Sequence, residues 1–163
     1  MIPSRSIDIA TVRDLMKTVK HAMLTTRGPE GALRSHPLAT VETSFDGVAW
    51  FLVTADSALA ADVHREPEVG LTYADPHEGT YIAVSGTASV THDPAIARIL
   101  WDRWADAFFA TDPGDPRIAV LRVQVRSAEL WTLRGEAESA DDLEDAPHAH
   151  TNQSGGYAKT ELL

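Results

Sequence analysis

Apolar positions recur along the chain in two rhythms, and the switches between them mark out the elements. Ile9, Val12, Met16 and Val19 fall three and four apart, which predicts a helix over 8–20 with one buried stripe. Ser6 and Asp8 stand where N-caps are needed. Residues 21–26 then read as a strand, and Gly28-Pro29-Glu30-Gly31 as a tight turn. Residues 32–45 predict a second strand, with alternation clearest from Leu38 to Glu42. Asp46-Gly47 predicts a hairpin, since a type I′ turn needs φ > 0 at both central positions. Residues 48–54, Val-Ala-Trp-Phe-Leu-Val-Thr, are apolar on both faces and predict a buried third strand.

The second half follows the same logic. Residues 57–65 predict a short helix capped by Asp56 or Ser57 and closed by Pro67. Strands follow at 69–74 and 80–90, with Asp75-Pro76 opening the turn between them. Asp93-Pro94 pairs an N-cap with proline at the first helical position. One helix is predicted from there, with Ile96, Ile99, Leu100, Trp101, Trp104, Ala107 and Phe108 as a wide apolar face. Asp112-Pro113-Gly114-Asp115-Pro116 ends it, and residues 118–132 form a long last strand. Runs of antiparallel strands with helices between them predict a mainly β fold, a barrel with helices at its ends. No βαβ alternation and no G-x-G-x-x-G occurs, which argues against a dinucleotide fold.

Composition sharpens this picture in two places. The 163 residues suit one domain. Periodicity ends near 133, so a folded body over 1–133 and an acidic, flexible tail over 134–163 are expected. The formal net charge is −10, but residues 136–163 carry seven acids and one base, which leaves only −4 on 1–135. No basic stripe remains to neutralise phosphates, so nucleic acid is not expected as a partner. There is no apolar run of membrane-spanning length and no apolar segment near Met1 resembling a secretory signal, so a cytoplasmic protein without a membrane role is expected. The chain has no cysteine, hence no disulfide, thiolate metal site or cysteine nucleophile within it.

Candidate catalytic groups are sparse. His21, His36, His64, His77, His92, His148 and His150 form no i, i+4 pair around an acid. His148-Ala149-His150 has chelating spacing, but two histidines in an acidic tail fit solvated polymer better than a metal centre. Asp141 and Asp142 sit in the same tail, without fixed geometry. Ser44, Ser57 and Ser85 lack the G-x-S-x-G context of a nucleophile elbow. Trp101 and Trp104 fit a core or subunit interface better than a ligand wall, and Trp50 fits the core. Trp131, near Arg134 at the end of the last strand, fits either.

Four stretches taken together carry a resemblance. They are Gly31-Ala-Leu-Arg-Ser-His-Pro-Leu-Ala-Thr40, Trp50-Phe-Leu-Val-Thr54 with Asp56-Ser57, Tyr81-Ile-Ala-Val-Ser-Gly-Thr-Ala88, and Ser127-Ala-Glu-Leu-Trp131. Over roughly 8–133 the chain resembles the pyridoxamine 5′-phosphate oxidase-like split-barrel family, most closely its general stress protein branch. The resemblance implies a six-stranded antiparallel split β-barrel of the FMN-binding type that forms a homodimer with FMN at the interface. It implies that Arg34 contacts the FMN phosphate, that Ser35, His36, Pro37 and Leu38 run along the cofactor, and that Val53 and Thr54 meet the ring edge. Ser57 is implied near the phosphate, Tyr81 as a ring contact from the other subunit, and Trp131 as a residue closing over the cofactor. A flavin-dependent oxidoreductase or stress-related flavoprotein of unknown substrate is the expected function.

Two departures from the family pattern bear on the phosphate. His36 stands where the branch has a second arginine, and Leu59 where it has a lysine. A charge-assisted contact contributes roughly 1.5–3 kcal/mol, so FMN is expected to be held more weakly, with His36 compensating only if protonated. The oxidase's substrate arginine and histidine have no counterpart past Trp131, so vitamin oxidation is not expected. The alternatives are a split barrel that has lost flavin and binds another ligand or partner, a haem protein using His148 or His150, and a protein binding deazaflavin or FAD.

Overall fold

The computed structural model describes residues 9–41 and 47–132. Its elements run α1 (Ile9–Thr18), β1 (His21–Arg27), β2 (Leu33–Ala39), β3 (Val48–Thr54), α2 (Ala58–Arg65), β4 (Glu68–Asp75), β5 (Thr80–Thr91), α3 (Pro94–Leu100), α4 (Arg103–Phe109) and β6 (Ile118–Thr132). The candidate caps Ser6 and Asp8, residues 42–45 of the expected second strand, Asp46, and the tail with Asp141, Asp142, His148 and His150 lie outside the described residues.

All strand pairings are antiparallel, in the order β2-β1-β4-β5-β6-β3. The sheet curls into a half-barrel with β2 and β3 as its two edges, the six-stranded split barrel that was expected. The hairpin expected at Asp46-Gly47 is not a β2–β3 ladder: β2 pairs with β1, and β3 pairs with β6. Sequence neighbours thus end at opposite edges of the sheet, and the gap between them is the split.

Alternation sorts the side chains. Ala22 and Leu24 of β1, Val69, Leu71 and Tyr73 of β4, and Ile82 and Val84 of β5 point into the barrel core. Val12 and Met16 of α1 and Leu59, Ala60 and Val63 of α2 close it. The strand β3 is buried on both faces, as its sequence predicted. Ala49, Phe51 and Val53 enter the barrel, while Leu52 joins Ile118, Val120, Ala97, Leu100 and Ala105 in a second core beneath α3 and α4.

The single helix expected after Asp93-Pro94 is two helices. Trp101 adopts an extended backbone, φ −72° and ψ 127°. Asp102 then caps α4, its carboxylate accepting from Ala105 N at 2.8 Å. The cap satisfies one of the N–H groups that the break leaves without an intrahelical partner. The break disperses the expected apolar face: Ile99 is 79% exposed and Phe108 64% exposed.

One glycine has a specific job. Pairing of β5 with β6 runs Ser85↔Ser127 and then Gly86↔Val125, so Arg126 is an extra, bulged residue. The bulge switches the inward set of β6 from Ala119, Leu121 and Val123 to Ala128 and Leu130. At Gly86 an added Cβ would lie 2.4 Å from Gln124 O, a backbone atom that cannot rotate away. Gly86→Ala is expected to lower the chemical-denaturation stability by about 2 kcal/mol through overpacking. A loss below about 0.5 kcal/mol would show that the bulge can relax.

Candidate functional site

The split between β2 and β3 holds a groove of about 490 Å³. Its floor and sides come from Pro37, Leu38 and Ala39 of β2, Leu52, Val53 and Thr54 of β3, and Ala58 and Leu59 at the start of α2. His21, His36 and Ser57 add polar groups, and Trp104, Phe108 and Phe109 of α4 form an aromatic wall. Trp104 and Phe108 are stacked, with centroids 4.7 Å apart and planes 12° apart. A second cavity, lined by Arg13, Lys17 and Trp50 among others, is only about 50 Å³ and holds little beyond water.

Six of the ten residues expected at a cofactor therefore meet in one groove: His36, Pro37, Leu38, Val53, Thr54 and Ser57. Ser57 is the N-cap of α2, its Oγ accepting from Ala60 N at 3.2 Å, which leaves the hydroxyl proton free to donate into the groove. Ser35 lies on the other face of β2, its Oγ 2.9 Å from Thr25 Oγ1. Tyr81 and Trp131 face each other across β5 and β6 and do not line this groove.

Arg34 has a different partner from the one expected. Its Nε donates to Asp62 Oδ2 at 2.9 Å and an Nη2 proton goes to Asp62 Oδ1, a bidentate pair. Asp62 is fully buried on α2 and also accepts from Arg65 Nη2 at 2.7 Å and from Thr26 Oγ1 at 2.9 Å. Four donated bonds hold its charge, and they drop its pKa from 3.8 to about 2, the Arg34 bond contributing most. Thr26, itself buried, continues the chain to His36, with Oγ1 and Nε2 3.1 Å apart. His36 is pushed below its ordinary pKa, chiefly by burial, with Asp62 opposing and Arg34 assisting. The compensation expected from a protonated His36 is therefore disfavoured.

Asp62, Thr26 and Arg65 were not legible as site residues. The available signal was an acid placed among Leu59 and Val63 on the core-facing side of a short helix, where only a paired charge survives. Among the described residues no group of three or more metal-ligating side chains comes together. No described helix is long and apolar enough to cross a membrane.

The groove suits a flat, mostly apolar ring with a few polar edges. The phosphate end fits less fully. The N-terminus of α2 and the Ser57 hydroxyl favour an anion, but Arg34 shares its charge with Asp62, and Leu59 is part of the core.

A curled six-stranded half-barrel with its groove in the split is a split-barrel architecture, and comparison with known proteins agrees. Residues 8–141 match the family described as pyridoxamine 5′-phosphate oxidase like, and the chain belongs to it. A solved structure described as general stress protein 26 from Jannaschia sp. CCS1 is 26% identical, with TM-score 0.67 over 92% of this chain and 95% of that one. The general stress FMN/FAD binding protein of Xanthomonas citri is 24% identical, with TM-score 0.67 over 81% and 93%. Protein bli-3 of Neurospora crassa is 27% identical over 130 residues, 74% of this chain, and the match spans 62% of that protein's length.

Proposed function

We propose that this chain binds a flavin, FMN foremost, in the β2–β3 groove, and acts as a homodimeric, stress-type flavoprotein or flavin-dependent oxidoreductase in the cytoplasm. The observation that carries the reading is the convergence of His36, Pro37, Leu38, Val53, Thr54 and Ser57 on a groove of about 490 Å³, within the usual size of a small-molecule site. The similar Xanthomonas citri protein, described as FMN/FAD binding, supports it. The homodimer would bring Tyr81 and Trp131 of a second copy to the groove.

A bound flavin supplies the acceptor and donor for hydride or electron transfer. The residues of the chain bind and orient it: the aromatic wall and Val53 exclude water, Thr54 and Ser57 offer hydroxyls, and the start of α2 offers unpaired N–H groups to a phosphate. With Leu59 in the core, binding rests on the ring more than on the phosphate.

FMN titrated into purified protein, with tryptophan and flavin fluorescence followed together, tests this. Saturable quenching with a dissociation constant of about 1 μM is expected, equivalent to about 8 kcal/mol. No quenching up to about 1 mM would sink the reading. It would favour a split barrel that takes a non-flavin ligand or partner, which the Arg34–Asp62 pair and the buried Leu59 support.

A further inference from the structure

His36 is joined to Asp62 by a single hydroxyl proton, and that fixes more than its position. Thr26 has one O–H. Its Oγ1 lies 2.9 Å from Asp62 Oδ2, and an ionised carboxylate has no proton to give, so the hydroxyl must donate there. The same oxygen lies 3.1 Å from His36 Nε2, and with its proton committed it can only accept. Nε2 therefore carries the hydrogen. Nδ1 of a neutral ring is then an acceptor, and no described residue hydrogen-bonds it. Arg34 and Arg65 at Asp62, and His21 on the neighbouring strand β1 in the lining of the same groove, are the other ionisable groups around this chain of bonds, and both arginines are already spent on the carboxylate.

We infer that His36 is a specificity-determining residue of the groove: it stands as an Nε2–H tautomer braced by Thr26 and Asp62, and its Nδ1 accepts a hydrogen bond from an N–H or O–H group of the bound molecule. The inference rests on the flavin reading for the identity of that molecule. A flavin carries such donors in its imide N–H and its ribityl hydroxyls, which FMN and riboflavin share. This position thus reads the body of the ligand and adds no charge for the phosphate.

Two isosteric substitutions separate this role from a structural one. The side-chain oxygen of asparagine reaches the place of Nδ1, whereas the amide of glutamine reaches that of Nε2 and keeps the bond to Thr26. His36→Gln is expected to weaken both FMN and riboflavin about tenfold, with its thermal midpoint kept, whereas His36→Asn is expected to stay within about threefold of wild type for both ligands. His36→Arg should raise the preference for FMN over riboflavin by about tenfold. The reverse order, with His36→Gln binding as wild type and His36→Asn impaired, would overturn the inference, because bracing by Thr26 would then be the whole role. Long-range proton–nitrogen correlation spectra assign the ring state without any ligand. At neutral pH the Nε2–H tautomer is expected, and an Nδ1–H tautomer or an imidazolium overturns the inference. If neither flavin binds wild-type protein, the flavin reading fails alone, and the ring spectra decide the fate of this one.

Discussion

Arg34→Ala is expected to cost about 3 kcal/mol of unfolding free energy, because it leaves a buried anion short of its best partner. Asp62 is fully buried, and Arg34 supplies two of its four hydrogen bonds. Arg65 and Thr26 remain, which keeps the loss at the low end for a broken buried pair. Removing the acid should cost less. In Asp62→Asn both half-exposed guanidinium groups can turn to water, so about 1–2 kcal/mol is expected. Acid sensitivity gives an independent check. The folded pKa of Asp62, about 2, lies below its unfolded value of 3.8. Its stabilisation is therefore complete above the unfolded value and disappears as the pH falls toward the folded one. Arg34→Ala removes the largest cause of that lowering, so its acid unfolding should begin at higher pH, whereas Asp62→Asn should lose this part of the acid limb. Urea unfolding at neutral pH and at intermediate acid pH reads both. Full stability of Arg34→Ala would mean that Arg65 and Thr26 suffice to hold Asp62, and would free Arg34 for the phosphate contact the family resemblance implies.

The local layers of this fold were legible because they depend on near neighbours. Alternation along residues 69–74 marks a strand buried on one side, and Asp75-Pro76 and Asp93-Pro94 carry their turn and cap chemistry within a few residues. The order of the sheet depends on distant partners. Nothing in Asp46-Gly47 says that the strands flanking it part company to opposite edges, because turn propensity does not encode which strand β6 will pair with. The break at Trp101 was hidden for a related reason. Apolar spacing continues through it, and the cap that marks it, Asp102 accepting from Ala105 N, is one aspartate among several in that stretch. The site divides along the same line. His36, Pro37 and Leu38, and Val53, Thr54 and Ser57, are legible because each set lies within a short stretch that carries a family pattern. The Arg34–Asp62–Thr26–His36 chain joins β1, β2 and α2, and its members are individually ordinary. Helical spacing alone assigns Trp101 and Trp104 to a core or subunit interface, whereas the structure places Trp104, stacked on Phe108, in the wall of the groove.

Filling the groove should abolish flavin binding while leaving the fold intact. Ala58 is exposed at the first turn of α2 and lines the groove, so an indole there would fill the groove without entering either core. Ala58→Trp is expected to weaken FMN and riboflavin by more than about 100-fold, equivalent to about 2.7 kcal/mol. Its stability should change by no more than about 0.5 kcal/mol, as for other exposed positions. Ile99→Trp is the matching control: Ile99 is 79% exposed on α3 and outside the groove, so the same added bulk should change neither quantity. Bulk in the groove acts on the ring and the ribityl chain alike, so the two ligands should fall together. A selective loss of FMN would mean that the start of α2 holds only the phosphate while the ring lies elsewhere. Wild-type affinity in folded Ala58→Trp would remove the split between β2 and β3 as the binding site, and would direct attention to the surface around Tyr81 and Trp131, where a second copy of the chain would have to complete the pocket.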